Sequence, residues 1–247
     1  VQRYFVNQEN IIEELVTITG EDVFHISKVL RGRAGDKIIC CNGTGLDCLA
    51  EITEIEASKV TARILHFLED NREPQIQLVL AQALPKSDKM ELIIQKGTEI
   101  GVSAFLPFTS ERTIVQLNDK KEQKRGERWR KIAKEAAEQS HRSIIPELLP
   151  TVSFKELLRL VNQQLSLFAY ENERTSTLYK ALENQKNPTK ILLIIGPEGG
   201  FTEKEAADIQ ASGAISVSLG KRILRTETAG LVGAANILYE LEVRGKM

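Results

Sequence analysis

KILLIIGPEGGFT, residues 190–202, is the stretch on which the fold turns. From Ile191 to Ile195 no polar residue interrupts the run, so it reads as a strand buried on both faces, the mark of a parallel sheet. Thr202 and Glu205 stand at capping-box spacing, and Gly213 offers a helix stop. The glycine-bearing loop 196–201 therefore joins a buried strand to a helix. The same grammar repeats outward. IQLVLAQAL (76–84), VSAFLPF (102–108), SLFAYE (166–171) and AISVSLG (214–220) are strand-like. Helices are predicted between them. One starts at a capping box of Asp88 and Glu91, with an apolar face of Met90, Ile93, Ile94 and Gly97, and Gly101 stops it. The next, over 122–140, buries Trp129, Ile132, Ala133, Ala136 and Ala137. Others span 153–163 and 175–185, and a last one spans 227–244. Repeated β–α units imply a mostly parallel sheet covered by helices on both sides.

Upstream of Pro74 the pattern changes. QRYFV (2–6), EELVTI (13–18), DKIICC (36–41), LDCLAEITEI (46–55) and KVTARILHFL (59–68) are short β runs separated by turn signals, Asn42-Gly43 among them. One helix, 21–31, interrupts them and is predicted to bury Val23, Ile26, Val29 and Leu30. Several short strands with one small helix suggest a compact barrel. The boundary falls near residue 72, giving a first domain over 1–70 and a second over 74–247.

Ligands of open α/β sheets gather beyond the carboxyl ends of the strands, and two strand ends have elaborated sequence. After Ile195 come Gly196, Pro197, Glu198, Gly199 and Gly200, which let backbone approach a ligand closely. The loop is neither a Walker phosphate loop nor a dinucleotide fingerprint. After Leu219 and Gly220 come Arg222, Ile223, Leu224 and Arg225, an apolar pair between cations, and then Thr226, Glu227 and Thr228 at a helix start. Such a loop can hold a flat base while arginines meet charge. A capped helix start accounts for the threonines and Glu227, but not for two arginines.

The rest of the composition excludes more than it assigns. Cys40, Cys41 and Cys48 lack partners at zinc spacing and read as reduced thiols, so no metal is expected. No apolar run approaches a membrane span, and the opening VQRYFVNQENIIEE carries acids where a signal peptide needs an apolar core, so a cytoplasmic location is expected. The net charge of −1 does not advertise nucleic-acid binding, but its distribution is uneven. Residues 1–73 hold 8 Lys+Arg against 13 Asp+Glu, whereas Lys120–Lys134 is a basic run that either contacts RNA or is a solvated helix face.

Longer motifs carry a resemblance over the whole chain. They are Arg3-Tyr4-Phe5, His25-x-x-x-Val29-Leu30-Arg31, Lys86-x-Asp88-Lys89-Met90-Glu91, Gln95-Lys96-Gly97-Thr98-Glu99-Ile100-Gly101-Val102, Glu135-Ala136-x-Glu138-Gln139-Ser140-x-Arg142, Gly196 to Phe201, and Leu219-Gly220-x-Arg222-Ile223-Leu224-Arg225-x-Glu227-Thr228-Ala229. With these the chain resembles the RsmE family of 16S ribosomal RNA uridine N3-methyltransferases, of the SPOUT superfamily. Ile100 stands where that family is expected to have leucine. The resemblance implies a PUA-like RNA-binding barrel, then an α/β domain whose C-terminal part forms a trefoil knot, a topology that physics alone argues against. It implies S-adenosylmethionine as cofactor, ribosomal RNA of the small subunit as partner, and a homodimer. Ala229, Gly230, Gly233, Ala234 and Ala235 allow close helix packing, which serves either such an interface or a contact within the chain.

The expected cofactor contacts are Gly196, Pro197, Gly199, Gly200, Leu219, Gly220, Ile223, Leu224 and Thr228. Arg225 and Arg222 are expected to meet charge on the uracil oxygens, and Glu198 or Glu227 to take the N3 proton, directly or through water. Arg3, His25, Arg31, Arg33, Lys86 and Arg142 are the expected RNA contacts. Two rival readings are a SPOUT enzyme acting on a ribose 2′-OH or a guanine, and a non-catalytic RNA-binding or ribosome-assembly protein.

Overall fold

The computed structural model describes residues 1–68, 72–113, 119–183, 185 and 188–244, with backbone alone at 119–121 and 243–244. The predicted boundary crosses residues 69–71, and the side chains of Lys120 and Lys121 from the basic run also lie outside the described part. The chain divides into two compact units: Val1–Glu73 with Ala137–Ile145, and Pro74–Ala136 with Pro146–Met247.

In the first unit the strands are β1 (Gln2–Phe5), β2 (Ile11–Ile12), β3 (Leu15–Thr19), β4 (Lys37–Cys41), β5 (Asp47–Ile55) and β6 (Lys59–Leu68). They form one sheet in the order β1-β4-β5-β6-β3-β2, with β1 and β4 parallel and the other pairs antiparallel. Alternate residues of each long strand meet in a single core. Val16 and Ile18, Ile38 and Cys40, Ala50 and Ile52, and Val60 and Ala62 all join Tyr4 there, so the sheet curls round its own apolar face. The hairpin signal at Asn42 becomes a longer loop: Asn42 Oδ1 accepts from the amides of Thr44 and Leu46, and Gly43 and Gly45 take positive φ.

The helix after β3 departs from expectation. Only α1 (Glu21–Phe24) is regular, and His25–Val29 is a wider π-turn. Val23 and Ile26 are buried, but Val29 and Leu30 are exposed. The wider turn shifts the side-chain phase away from the 3.6-residue period on which the predicted face rested.

A second correction concerns Arg3 and Arg142, both read as RNA contacts. Arg3 is 3% exposed. Its Nη1 is paired with Asp47 and also donates to Cys41 Sγ at 3.0 Å and to the Arg142 carbonyl at 3.2 Å. Asp47 in turn accepts from Ser143 Oγ. Arg142 places Nε and Nη2 3.1 and 2.6 Å from Glu73 Oε2. A buried charge is tolerated only when paired, so these guanidiniums fasten 137–145 to the strands of the first unit. His25 is half-buried, its Nδ1 3.1 Å from Tyr4 Oη. Arg31, Arg33 and Lys86 are exposed.

The second unit holds β7 (Gln77–Ala83), α2 (Lys89–Ile100), β8 (Ala104–Thr109), α3 (Asp119–Gln139), β9 (Glu147–Leu148), β10 (Val152–Ser153), α4 (Phe154–Val161), β11 (Leu165–Ala169), α5 (Leu178–Glu183), β12 (Lys190–Ile195), α6 (Glu203–Ala211), β13 (Ile215–Val217) and α7 (Thr226–Arg244). The final turn of α3, from Ala137, counts with the first unit. The sheet is parallel throughout, in the order β10-β8-β7-β12-β11-β13, with β9 also paired to β8. Ile191 to Ile195 are buried, as the apolar run requires. Leu192 and Ile194 pack in one core with Leu157 and Val161 of α4 and Ile209 of α6. On the opposite face a Cβ at Gly233 would lie 2.8 Å from Leu193 and one at Gly230 3.1 Å from Gln82 Oε1, so these glycines let α7 settle onto the sheet. The small residues Gly230, Gly233 and Ala234 are thus used inside the unit.

The Thr202–Glu205 capping box forms in both directions, and Gly101 ends α2 at φ +115°. The box predicted at Asp88 does not form. Glu91 pairs instead with Arg128 at 2.6 Å, because a charged partner from α3 outcompetes its own helix start.

Candidate active site

Three neighbouring strands of the second unit, β12, β11 and β13, end side by side, and a cavity of about 590 Å³ opens between the loops that leave them. This is the size of a small-molecule pocket. The loop after β12 supplies Gly196 to Phe201, the loop after β13 supplies Ser218 to Gly220 and Arg222 to Arg225, and the loop after β11 supplies Tyr170, Glu171 and Arg174.

The first loop is held by its own hydrogen bonds. Gly200 N–H reaches the Pro197 carbonyl at 2.9 Å, and Gly200 sits at φ +67°. The positive φ favours glycine, and a Cβ there, 2.5 Å from Glu171 Oε1, would push the Glu171 carboxylate aside. Thr226, the first residue of α7, ties loop to helix. Its hydroxyl donates to the Gly196 carbonyl at 2.6 Å and accepts from buried Gln82 at 2.8 Å.

Glu198 Oε1 accepts from the Lys86 amide at 3.0 Å and from Lys89 Nζ at 3.1 Å. The same ammonium lies 3.2 Å from Glu227 Oε2. Burial pushes the Glu198 carboxyl up, but its own amide, the Lys86 amide and the Lys89 ammonium together bring it below the ordinary value. The two carboxylates proposed as proton acceptors thus share one cation, which is itself raised chiefly by its bond to Glu198.

The arginines differ. Arg222 and Arg225 line the cavity, and neither side chain has a hydrogen-bond or ion-pair partner among the described residues. Arg225 enters the fold by its backbone, its carbonyl accepting from Ala229 N–H at 2.8 Å. Ile223 is exposed beside them, while Leu224 is half-buried.

Of the expected cofactor contacts, Gly196, Pro197, Gly199, Gly200, Leu219, Gly220, Ile223 and Leu224 all line this cavity. Thr228 does not. It is exposed, two residues past Thr226 and one before Ala229, which do line it. Glu227 also lies off the wall and reaches the site through Lys89. A side chain at Gly199 would meet Arg112 rather than the cavity, since the Cβ position is 3.2 Å from Arg112 Cδ.

Sequence reasoning passed over Tyr170, Glu171 and Arg174. The signal was present, because they follow directly on a buried strand end. The loop is pinned by Glu173, which accepts from Ser216 Oγ, from the amides of Ser176 (2.9 Å) and Thr175 (2.8 Å), and from Thr175 Oγ1. The Ser216 hydroxyl first, then those amides, hold its carboxyl at about 2. Among the described residues no cluster of three His, Cys, Asp or Glu could hold a metal, and no helix is long and apolar enough to cross a membrane.

A family model described as an RNA methyltransferase domain matches residues 71–238, and one described as an RNA methyltransferase PUA domain matches 18–65. The chain is 41% identical to the Ribosomal RNA small subunit methyltransferase E of Bacillus subtilis, over 98% of each protein. It is 36% identical to the protein of that name from Synechocystis, covering 97% of this chain and 78% of that one. The crystal structure of the Neisseria gonorrhoeae protein of the same name, bound to S-adenosyl methionine, superposes with a TM-score of 0.87 at 33% identity over 97% of both chains.

Proposed function

The chain belongs to the ribosomal RNA small subunit methyltransferase E family, and from that premise we propose that it transfers the methyl group of S-adenosylmethionine to N3 of a uridine in 16S ribosomal RNA of the small subunit. The cavity at the ends of β12, β11 and β13 carries this reading. Its donor set fits the cofactor. Gly200, without a Cβ, lets the Glu171 carboxylate stand against the loop at the cavity wall. Ile195, Leu219 and Leu224 give a flat base an apolar wall, and Glu171 with Arg174 offers ionic partners of both signs that are free among the described residues.

When bound, the cofactor supplies an electrophilic methyl group. The protein's residues place it and manage charge. The 196–202 loop fixes position, which accounts for much of the acceleration in a transfer between two held partners. As N3 loses its proton, charge spreads over O2 and O4 of the uracil. Arg225, assisted by Arg222, meets that charge with a guanidinium not already committed to a carboxylate. Glu198 is a weak base, because three donors stabilise its ionised form. It and Glu227 serve chiefly to hold Lys89 and the loop, and the proton leaves by way of water. N3 takes part in base pairing, so the target uridine must be unpaired or flipped out.

The same reading extends to the partners. Arg31, Arg33 and Lys86 are the cations exposed for RNA backbone, so affinity should fall with salt. A homodimer would use the outer face of α7, where Ala235, Asn236 and Tyr239 remain exposed. The trefoil threading and a cytoplasmic location belong to this reading as well. The test is nucleoside mass spectrometry of 16S RNA incubated with the protein and methyl-labelled cofactor. Label in 3-methyluridine is expected. Label in a 2′-O-methyl nucleoside or a methylguanosine would move the activity to another RNA position, and unlabelled RNA would favour a binding role alone.

A further inference from the structure

The turn that follows α1 has features the barrel does not need. Leu30 N–H bonds to the His25 carbonyl at 2.9 Å, one residue wider than in an α-helix, and Gly32 N–H reaches back to the Ile26 carbonyl at 2.9 Å. Arg31 takes φ 55°, a conformation uncommon for a residue with a Cβ. A Cβ at Gly32 would lie 3.1 Å from Ile26 Cγ2. Asp36 Oδ2 accepts from the Arg33 amide at 2.7 Å, and Gly35 N–H bonds to the Ile52 carbonyl at 2.8 Å. Packing over-determines a rare backbone here, and such turns gather at functional sites.

The consequence is an outward apolar step. Phe24, Val29 and Leu30 are 64%, 57% and 49% exposed. Single exposed apolar residues are ordinary, but three on one short turn are not. Around them stand Lys28, Arg31 and Arg33, bounded by Asp22 before the turn and by Asp36, whose carboxylate is bonded to the Arg33 amide. All three cations are exposed and lack an ion-pair partner among the described residues.

We propose that this turn is a nucleotide-stacking site: Phe24, flanked by Val29 and Leu30, takes the face of an unpaired RNA base, while Lys28, Arg31 and Arg33 hold the adjoining phosphates. A purely apolar partner would leave three cations uncompensated, and a duplex would offer no ring face to Phe24. An unstacked nucleotide uses both, since every base has a π-face and every linkage a charge. The site would grip a single-stranded part of the substrate, and it rests on the reading that the substrate is RNA.

Fluorescence anisotropy on the full chain tests it, with a short labelled oligouridylate and a duplex of equal length over a salt series. Phe24→Ala should weaken single-strand binding about tenfold, leave duplex binding unchanged, and leave the slope of affinity against salt unchanged. Phe24→Trp should restore binding. Arg31→Glu with Arg33→Glu should flatten the slope for both RNAs. Single-strand affinity unchanged in Phe24→Ala would overturn the site, as would equal loss on duplex. A loss of self-association in that variant without loss of RNA affinity would also overturn it, since the patch would then face a second copy. If the wild-type protein methylates 16S RNA while Phe24→Ala binds normally, this inference alone fails. If the wild-type protein neither binds nor methylates RNA, the functional reading fails and this inference with it.

Discussion

Residues 196–202 and residues 218–225 both leave parallel strands of one sheet, both carry a glycine at positive φ, and both line one cavity. They are held in opposite ways. The first loop is tied at almost every residue: Gly196 to Thr226, Pro197 to Gly200, Glu198 to Lys86 and Lys89, Gly199 to Arg112, and Thr202 to Glu205. The second is anchored at Ser218, whose amide bonds to the Ser176 carbonyl at 2.8 Å, and by that serine's hydroxyl to Gly220. From Lys221 to Arg225 its side chains have no hydrogen-bond or ion-pair partner among the described residues. Glycine and internal bonds in the first loop make a fixed surface, whereas uncommitted arginines in the second keep their donors for a ligand. Changes that strain the backbone of the first loop should therefore move stability and cofactor affinity together, and changes at the arginines of the second should move rate alone.

The largest effect expected under this contrast is at Gly200. Gly200→Val forces a branched side chain into positive φ and against Glu171, a strain of about 1–3 kcal/mol before any clash. Calorimetry should show cofactor affinity lowered roughly a hundredfold or more, with a lowered Tm. Normal affinity in a folded variant would break the contrast at its stronger end. Adding Glu171→Ala should relieve the clash but not the backbone strain, so partial recovery is expected.

Glu198→Gln should be milder. The amide keeps an acceptor for Lys86 N–H but loses the charge facing Lys89, and the methylation rate should fall within about tenfold with an unshifted pH profile. A general base would cost roughly 10²–10⁴-fold, so a drop of that size would return Glu198 to the proton-accepting role.

Glu173 sharpens the picture from the third loop. Its carboxyl, normally near 4.5, is held at about 2 in the folded chain. A depressed value means the stabilisation is complete above the unfolded value and is lost as pH falls from about 4.5 towards 2. Glu173→Gln should lower Tm by a few degrees at neutral pH, as the loss of charge-assisted hydrogen bonds costs about 1–2 kcal/mol. The difference from wild type should shrink through that acid window, and a constant gap in acid melts would contradict the assignment. The smallest effect is expected at Gly199, where the added methyl of Gly199→Ala meets only the flexible Arg112 side chain. Cofactor affinity should change less than about threefold by calorimetry, while the variant retains its fold.

Much of the second unit was legible because its signals are local. An unbroken apolar run from Ile191 to Ile195 leaves no alternative to a doubly buried strand, and Thr202 with Glu205 caps α6 using residues three apart. What escaped depended on partners distant in sequence. Arg3 and Arg142 read as surface cations until Asp47, Ser143 and Glu73 are brought to them, so in the sequence two structural ion pairs look like RNA contacts. For the same reason no feature of 137–145 announces that it belongs with the first unit. Val29 and Leu30 fit a 3.6-residue face, but the turn is wider than that period assumes. Glu171 and Arg174 follow a strand end without glycine and so carry a weaker signal, though the rule that ligands lie beyond strand ends applies equally to β11. The two glycine loops were found because three glycines in five residues and two arginines before a helix both exceed what a plain turn requires.

The division of labour between the loops is tested most directly by Arg225→Lys, with single-turnover methylation rate, cofactor affinity and Tm measured on one preparation. Lysine keeps the charge but loses the planar fork. Because the Arg225 side chain has no protein partner among the described residues, fold and cofactor affinity should be unchanged, while the rate falls roughly a hundredfold, the scale of one lost transition-state donor. A lowered Tm with a normal rate per folded molecule would make Arg225 an anchor of α7 and would contradict the account.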